Sequence, residues 1–316
     1  MCDCPMISVV MSAYNEEEYI QNSINSILNQ SITDFELIII DDCSNDKTVD
    51  LIKEFSDSRI SLIQNDTNIG LPRSLNIALG KASGKYIARM DADDISLSNR
   101  LEKQAKYLES HPDVHVVGSY TRQIGTNGEF FGVETYPEGG RSVEQLKNQG
   151  PGVAHPSVMI RRSSLEHVNN YREPFKYAQD LDLWIRMSRE FGKDFLQIIP
   201  EPLVEYRLTP SQYSRHSVND IYESYAGEYL GRETELEDRI KREVKRRKKQ
   251  HDSSKGEVMY HYRAGRLLLD RQKRSRASKQ FLLAIFCSPL SPHGWYGSAL
   301  ACLPRPLQDR IDSYIQ

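Results

Sequence analysis

The sequence predicts an α/β fold: a mostly parallel central sheet with helices on both faces, followed by a C-terminal helical extension. Three observations carry that expectation. Strand and helix signals alternate through the first third of the chain, the rhythm of a parallel sheet with helical crossovers. The run "FELIIIDD" (35–42) is apolar until its acidic end, as in strands covered on both faces. Each expected strand then ends in polar residues, at the edge where such sheets bind ligands.

"ISVVMSA" (7–13) gives the first strand. Asn15, with Glu18 three residues on, offers a capping box for a helix whose Ile20, Ile24, Ile27 and Leu28 share one face. After the second strand, Ser44 is placed to cap a helix carrying Val49, Ile52 and Phe55. "RISLIQN" supplies a third strand, "RSLNIALGKA" a third helix and "GKYIARM" a fourth strand. The strand ends deliver "YNE", "DDCS", "NDTNIG" and "DADD". A solvated loop explains any one of these, but independent loops have no reason to gather acid and amide side chains at one sheet edge.

Beyond residue 113 the alternation loosens. "VHVVGSYTRQI" reads as a strand, "GTNGEFFG" as a hairpin-like stretch, and "HPSVMIRRSSL" as a strand running into a helix. "YAQDLDLWIRMSREFG" puts Leu183, Trp184, Met187 and Phe191 on one helical face, with Gly192 as the stop. These elements make a first domain over residues 1–217. Residues 218–316 read as a charged linker helix and a helical extension whose last part resembles one tetratricopeptide-like helix pair.

A chain of 316 residues can bury a sizeable core. Its 41 basic and 44 acidic residues give a net charge of −3, with no global pull toward nucleic acid. The basic surplus near 239–276 lacks an aromatic or Gly-containing recognition pattern, so no nucleic-acid partner is expected; peripheral contact with anionic lipid fits it better. Five cysteines, an odd number without zinc-site spacing, fit a reducing compartment. The N-terminus lacks the pattern of a signal peptide, and "FLLAIF" is far shorter than the roughly 20 residues of a membrane span. The expectation is a cytoplasmic chain that touches the inner face of the membrane through its basic region.

The densest chemistry lies in "YIARMDADDI" (86–95), with Asp91, Asp93 and Asp94 inside four positions. Like charges repel, and a cation is the usual reason for such crowding. In the loop after the third strand, Asn68, Gly70 and Arg73 stand together. Gly70 allows close backbone approach, and Arg73 suits a phosphate or sugar hydroxyl as well as a plain surface charge. Asp180 opens the amphipathic helix as an N-cap, where the macrodipole favours its ionised form. No G-x-G-x-x-G follows the first strand, which argues against a dinucleotide-binding dehydrogenase, and the acidic "AYNEEEY" is unlike the Gly-rich basic loop of nucleotidyltransferases.

Together, "ISVVMSAYNEEEYIQNSINSILNQ", "FELIIIDDCSNDKT", "NIGLPRSLNIALGKASGKYIARMDADD" and "YAQDLDLWIRM" resemble an inverting family 2 glycosyltransferase with the GT-A fold, over roughly residues 6–215. The resemblance implies transfer of a sugar from a nucleoside diphosphate donor, a UDP-sugar above all, to a hydroxyl of a glycan or lipid-linked acceptor. It implies a divalent cofactor, manganese or magnesium, at a DXD motif formed by Asp91, Ala92 and Asp93, with Asp93 or Asp94 as the metal ligand and Asp91 toward the nucleotide. It points to Ala13, Tyr14, Glu16, Asp41 and Asp42 for the base and ribose. A carboxylate there can accept N–H groups of uracil, thymine or guanine. Asp180 matches the family's catalytic base, and His155, Gln179 and Trp184 fall on the acceptor side. Gln179 stands where Glu is more usual, and Thr209 where many relatives carry His, a role then missing or moved to His216. The alternative is a catalytically silent nucleotide-sugar-binding or scaffold protein, but it would be expected to lack the metal or base carboxylates.

Overall fold

The structure, a computed structural model, describes residues 4–209 together with positions 223, 225, 226, 238–240, 242, 243, 277, 280, 281, 283 and 284. The domain boundary expected at 217, His216, the tetratricopeptide-like pair and nearly all of the basic stretch lie outside the described residues. Among the described residues no helix is long and apolar enough to cross a membrane.

Strand β1 (Ile7–Ala13) is central. It pairs in parallel with β2 (Phe35–Asp41) and with β4 (Tyr86–Asp91), while β3 (Ile60–Gln64) lies parallel outside β2. The register sets Ala13 beside Asp41, Ser12 beside Asp91 and Asp41 beside Gln64. The expected polar strand ends therefore share one edge of the sheet.

Alternate residues of these strands, Ile7, Val9 and Met11 with Leu37, Ile39, Ala88 and Met90, form one core with two helices. Helix α1 (Ile20–Leu28) contributes Ile20, Ile24 and Ile27, and α4 (Arg100–Ser110) contributes Leu101, Ala105 and Leu108. Burying each isoleucine contributes roughly 1.5–3 kcal/mol. Helix α3 (Leu71–Lys81) packs on β1 and β2. Its buried Leu75 and Ala78, with Val10, Ile38 and Ile40 of the strands, lie outside that core, so the second face is covered too.

Past β4 the pairing changes sense. The sheet runs β3-β2-β1-β4-β8-β6-β9-β5, and β8 (Met159–Arg161) is antiparallel to both β4 and β6 (Val116–Ile124). The two-residue β5 (Ile95–Ser96) is antiparallel to β9 (Leu196–Arg207). β7 (Phe130–Glu134) pairs with β6, α5 (Val143–Gln149) and α6 (Arg162–His167) follow in turn, and α7 (Gln179–Phe191) ends at Gly192, whose φ of 82° suits glycine.

The described chain groups into two compact units. The first holds residues up to Arg122, Val133–Tyr206 and the described positions within Asn219–Val244; the second holds Gln123–Gly132, the described residues from Arg207 and the described positions after Lys245. Within the second, Arg207 Nη1 donates to the carbonyls of Gly125 (2.9 Å) and Thr126 (3.2 Å).

Two expected caps are corrected. Asn15 adopts a left-handed φ of 57°, its Oδ1 accepts from the Asn45 N–H (2.8 Å), and α1 begins only at Ile20. Ser44 Oγ accepts from the Asn15 N–H (2.9 Å), while α2 (Thr48–Lys53) has Asp46 Oδ1 accepting from the Thr48 N–H (3.0 Å). Both side chains that were expected to cap their own helices instead join two loops, a local competition open to Asn and Ser.

Candidate active site

The first and second strand ends are sewn together by short polar side chains. Thr48 Oγ1 accepts from the Glu16 N–H (2.7 Å), Asp46 Oδ2 from the Glu17 N–H (3.1 Å), and Glu17 Oε2 from the Lys47 N–H (3.1 Å). Ala13 is buried, and its carbonyl accepts from the Asp42 N–H (2.8 Å). Tyr14, by contrast, stands 44% exposed at this edge, a free aromatic face.

Asp41 and Asp42 are both buried but differ in what they have left to offer. Asp42 is fully engaged: Oδ1 accepts from Asn65 Nδ2 and the Ile69 N–H (both 2.9 Å), and Oδ2 accepts from the Gly70 N–H (2.8 Å). It holds the third loop, including Gly70 at φ 88°, in place. Asp41 Oδ2 accepts from the Ser44 N–H (3.2 Å), and its Oδ1 is buried with no partner. Leaving such an acceptor unmet costs roughly 1–3 kcal/mol. Asn68 is exposed, and Arg73 donates from Nε to Glu173 (2.8 Å), a half-exposed ion pair.

At the end of β4 each of Asp91, Asp93 and Asp94 offers a carboxylate oxygen within 4.8 Å of the others. Asp91 and Asp93 are part-exposed, whereas Asp94 and Ala92 are buried. Ser23 Oγ of α1 lies 2.7 Å from the Ala92 carbonyl and 2.6 Å from that of Asp94, fixing the loop from below. Hard divalent cations choose oxygen donors and tolerate a partly open shell, so this set fits one.

Across from it, Ala178 takes a left-handed φ of 54° at the cap position of α7, and Gln179 and Asp180 open the helix. Asp180 is therefore not the N-cap. Burial pushes its carboxyl pKa up, against the backbone N–H groups of Leu181 and Asp180 itself, which pull it down. The expected dominance of the helix dipole is corrected: desolvation wins. Arg89 and Asp91 also act on Asp180, lowering and raising its pKa respectively, so the base candidate and the acidic cluster share one field.

His155 is buried, with Nε2 2.8 Å from the Tyr171 hydroxyl. Burial, aided by Arg89, holds its imidazole well below the usual range, so it is neutral. Trp184, expected on the acceptor side, is fully buried and packs edge-on against His155 at 6.1 Å, which leaves it no surface to offer an acceptor. Tyr171 is fixed by its backbone: Asn76 of α3 donates to its carbonyl (2.8 Å) and accepts from its N–H (3.1 Å).

Sequence patterns passed over several residues here. Arg89 is buried in β4 and ion-paired with Asp91. Arg100 is buried beneath it, its Nη2 donating to the Arg89 carbonyl (2.7 Å), and burial lowers its pKa to about 9. Asp182 is buried between Arg172 (3.2 Å) and Arg186 (2.9 Å), and Arg186 Nη2 donates to the Asn170 carbonyl (2.7 Å). The available signal was a lone charge inside an apolar element, as in "YIARM", because a buried charge must find partners.

Comparison with known proteins agrees with this geometry. The model of "Glycosyl transferase family 2" matches residues 8–168. An uncharacterized glycosyltransferase of Methanocaldococcus jannaschii is 39% identical over 233 residues, 71% of this chain and 78% of the relative. The Escherichia coli protein WfgD, named a UDP-Glc:alpha-D-GlcNAc-diphosphoundecaprenol beta-1,3-glucosyltransferase, is 35% identical over 185 residues, 58% of this chain and 70% of that one. S. aureus TarS, solved in complex with UDP, superposes with a TM-score of 0.53 at 20% identity, covering 93% of this chain and 87% of that one; the likeness establishes the GT-A fold. With half of its length matched by the family model and a relative this similar, the chain is a member of glycosyl transferase family 2.

Proposed function

We propose that this glycosyltransferase moves a sugar from a UDP-sugar to a hydroxyl of a lipid-linked glycan, with inversion at the anomeric carbon. The observation that carries the reading is the acidic triad at the end of β4 sharing its field with a separate carboxylate, Asp180, whose pKa is raised. A donor and an acceptor each need a group of that kind.

On the donor side, the unmatched Oδ1 of Asp41 accepts a base N–H and the exposed ring of Tyr14 flanks the base. Asp42 contacts no ligand in this reading; it orders the Asn65–Gly70 loop. Asp91 and Asp93, the part-exposed members, would hold manganese or magnesium, with Asp94 buried beneath them. The chemistry a bound divalent cation would supply there is to offset the charge that grows on the departing diphosphate. On the acceptor side, Asp180 accepts the proton of the attacking hydroxyl as that oxygen approaches from the face opposite the diphosphate. A raised pKa makes it a stronger base than an exposed aspartate. The UDP-sugar and lipid-diphosphate acceptor are supported by the names of WfgD and of a second TarS structure, in complex with UDP-GlcNAc. Relatives named for O-antigen and teichuronic acid biosynthesis support a place in surface-polysaccharide assembly.

The test is release of nucleoside diphosphate from a panel of nucleotide sugars with manganese and a polyprenyl-diphosphate glycan, with NMR of the product anomer. UDP release and an inverted anomer are expected; a retained configuration overturns the assignment of Asp180 as base.

A further inference from the structure

We infer that Arg89 is a positioning residue for the donor site, acting through Asp91. The inference deepens the proposed function and rests on its reading of Asp91 as a donor-side carboxylate.

Arg89 lies on the same side of β4 as Asp91, two residues apart on a strand of period two. Its side chain is almost wholly buried, while that of Asp91 is 30% exposed, and Nη2 is ion-paired with Asp91 Oδ1. One carboxylate oxygen is thus gripped from within the sheet, while Asp91 also brings a carboxylate oxygen within 4.8 Å of those of Asp93 and Asp94. The guanidinium does little else for the fold. Its Nε and Nη1 are buried and meet no hydrogen-bond partner.

A core does not gain from such a group. Desolvating a guanidinium is costly, and a buried ion pair is often no more stabilising than apolar side chains of similar volume would be in its place. Arg89 stands at a position flanked by Ala88 and Met90 in a strand otherwise apolar to Asp91. Its charge also acts on Asp94, His155, Tyr171 and Asp180. A fixed cation behind three crowded carboxylates lets them stay close before any ligand arrives, the preorganisation that electrostatic sites depend on. Lysine could supply the charge but not the planar fork that fixes the carboxylate's orientation.

The experiment measures the melting temperature of the full chain as UDP is titrated at saturating manganese, for the unaltered protein, Arg89→Met, Arg89→Lys, Asp91→Asn and the Arg89→Met/Asp91→Asn pair. Arg89→Met is expected to fold and, measured from its own ligand-free melting temperature, to need at least tenfold more UDP for the same shift. Arg89→Lys should recover part of that loss. The double variant should bind no worse than the weaker single variant, because both changes remove one interaction. A normal UDP response in Arg89→Met, or additive losses in the pair, overturns the inference. So does failure of Arg89→Met to fold, which would make the residue a structural one. If Asp91→Asn leaves the UDP response unchanged, the reading of the donor site fails instead, whatever Arg89 does.

Discussion

The donor edge and the base side of this site are held together by different physics. At the donor edge, loops after β1, β2 and β3 are joined by short hydrogen bonds from Asn, Ser, Thr and Asp to backbone N–H groups, many of them part-exposed. On the base side, α7 and the segment before it are anchored by buried ions: Asp182 between Arg172 and Arg186, with Arg186 Nη2 donating in turn to the Asn170 carbonyl. The first arrangement gives many weak, replaceable restraints around a ligand. The second concentrates its restraint in a few groups, each costly to lose.

The largest expected effect breaks the chemistry while sparing the fold. Asp180→Asn should lower transfer on the order of 10²–10⁴-fold, the usual range for a general base. Its stability should move the other way. A carboxylate whose folded pKa is raised adds stability below its unfolded pKa and loses it as pH rises through the folded value, so at pH 7 the ionised Asp180 is a burden. The variant should melt higher than the unaltered protein at pH 7, with the gap closing in acid. Transfer by the unaltered protein should fall on the acid side at a pH above the ordinary aspartate range.

Next in size is the buried ion cluster. Asp182→Asn leaves Arg172 and Arg186 facing an amide and should cost about 3–5 kcal/mol in denaturant unfolding, the penalty of breaking a buried pair. At the donor edge, Asp42→Ala frees the N–H groups of Ile69 and Gly70 and should cost only about 1–3 kcal/mol, with a raised KM for donor. Smallest is Arg73→Ala. Its pair with Glu173 is half-exposed, so less than about 1 kcal/mol of stability is at stake. A loss from Asp42→Ala as large as that from Asp182→Asn would erase the contrast between the two regions.

The same contrast governs what the sequence made legible. The strand ends "DDCS" and "DADD" were readable because parallel strands carry continuous apolar runs and stop abruptly, and the helix of Leu183 and Met187 because its period is regular. The loop contacts of Asp42 are invisible to sequence patterns because its partners lie 23 to 28 residues away in another loop. Asn15 and Ser44 were misassigned for the same reason: each satisfies a group about 30 residues distant rather than its own helix. Arg89 and Asp182 carry no periodic signature. Their importance arises only when the sheet brings β4 beside β8 and the fold buries them. Trp184 lies on the apolar face of α7, and that periodicity alone turns it inward, away from an acceptor.

The central claim is a division of labour, with the triad of β4 holding the donor and Asp180 performing proton transfer. Calorimetric titration of UDP with manganese into Asp180→Asn and Asp93→Asn, beside transfer assays on both, tests it most directly. Asp180→Asn should bind as tightly as the unaltered chain and transfer almost nothing, while Asp93→Asn should lose binding and transfer together. Normal binding by Asp93→Asn, or loss of binding by Asp180→Asn, would contradict the claim.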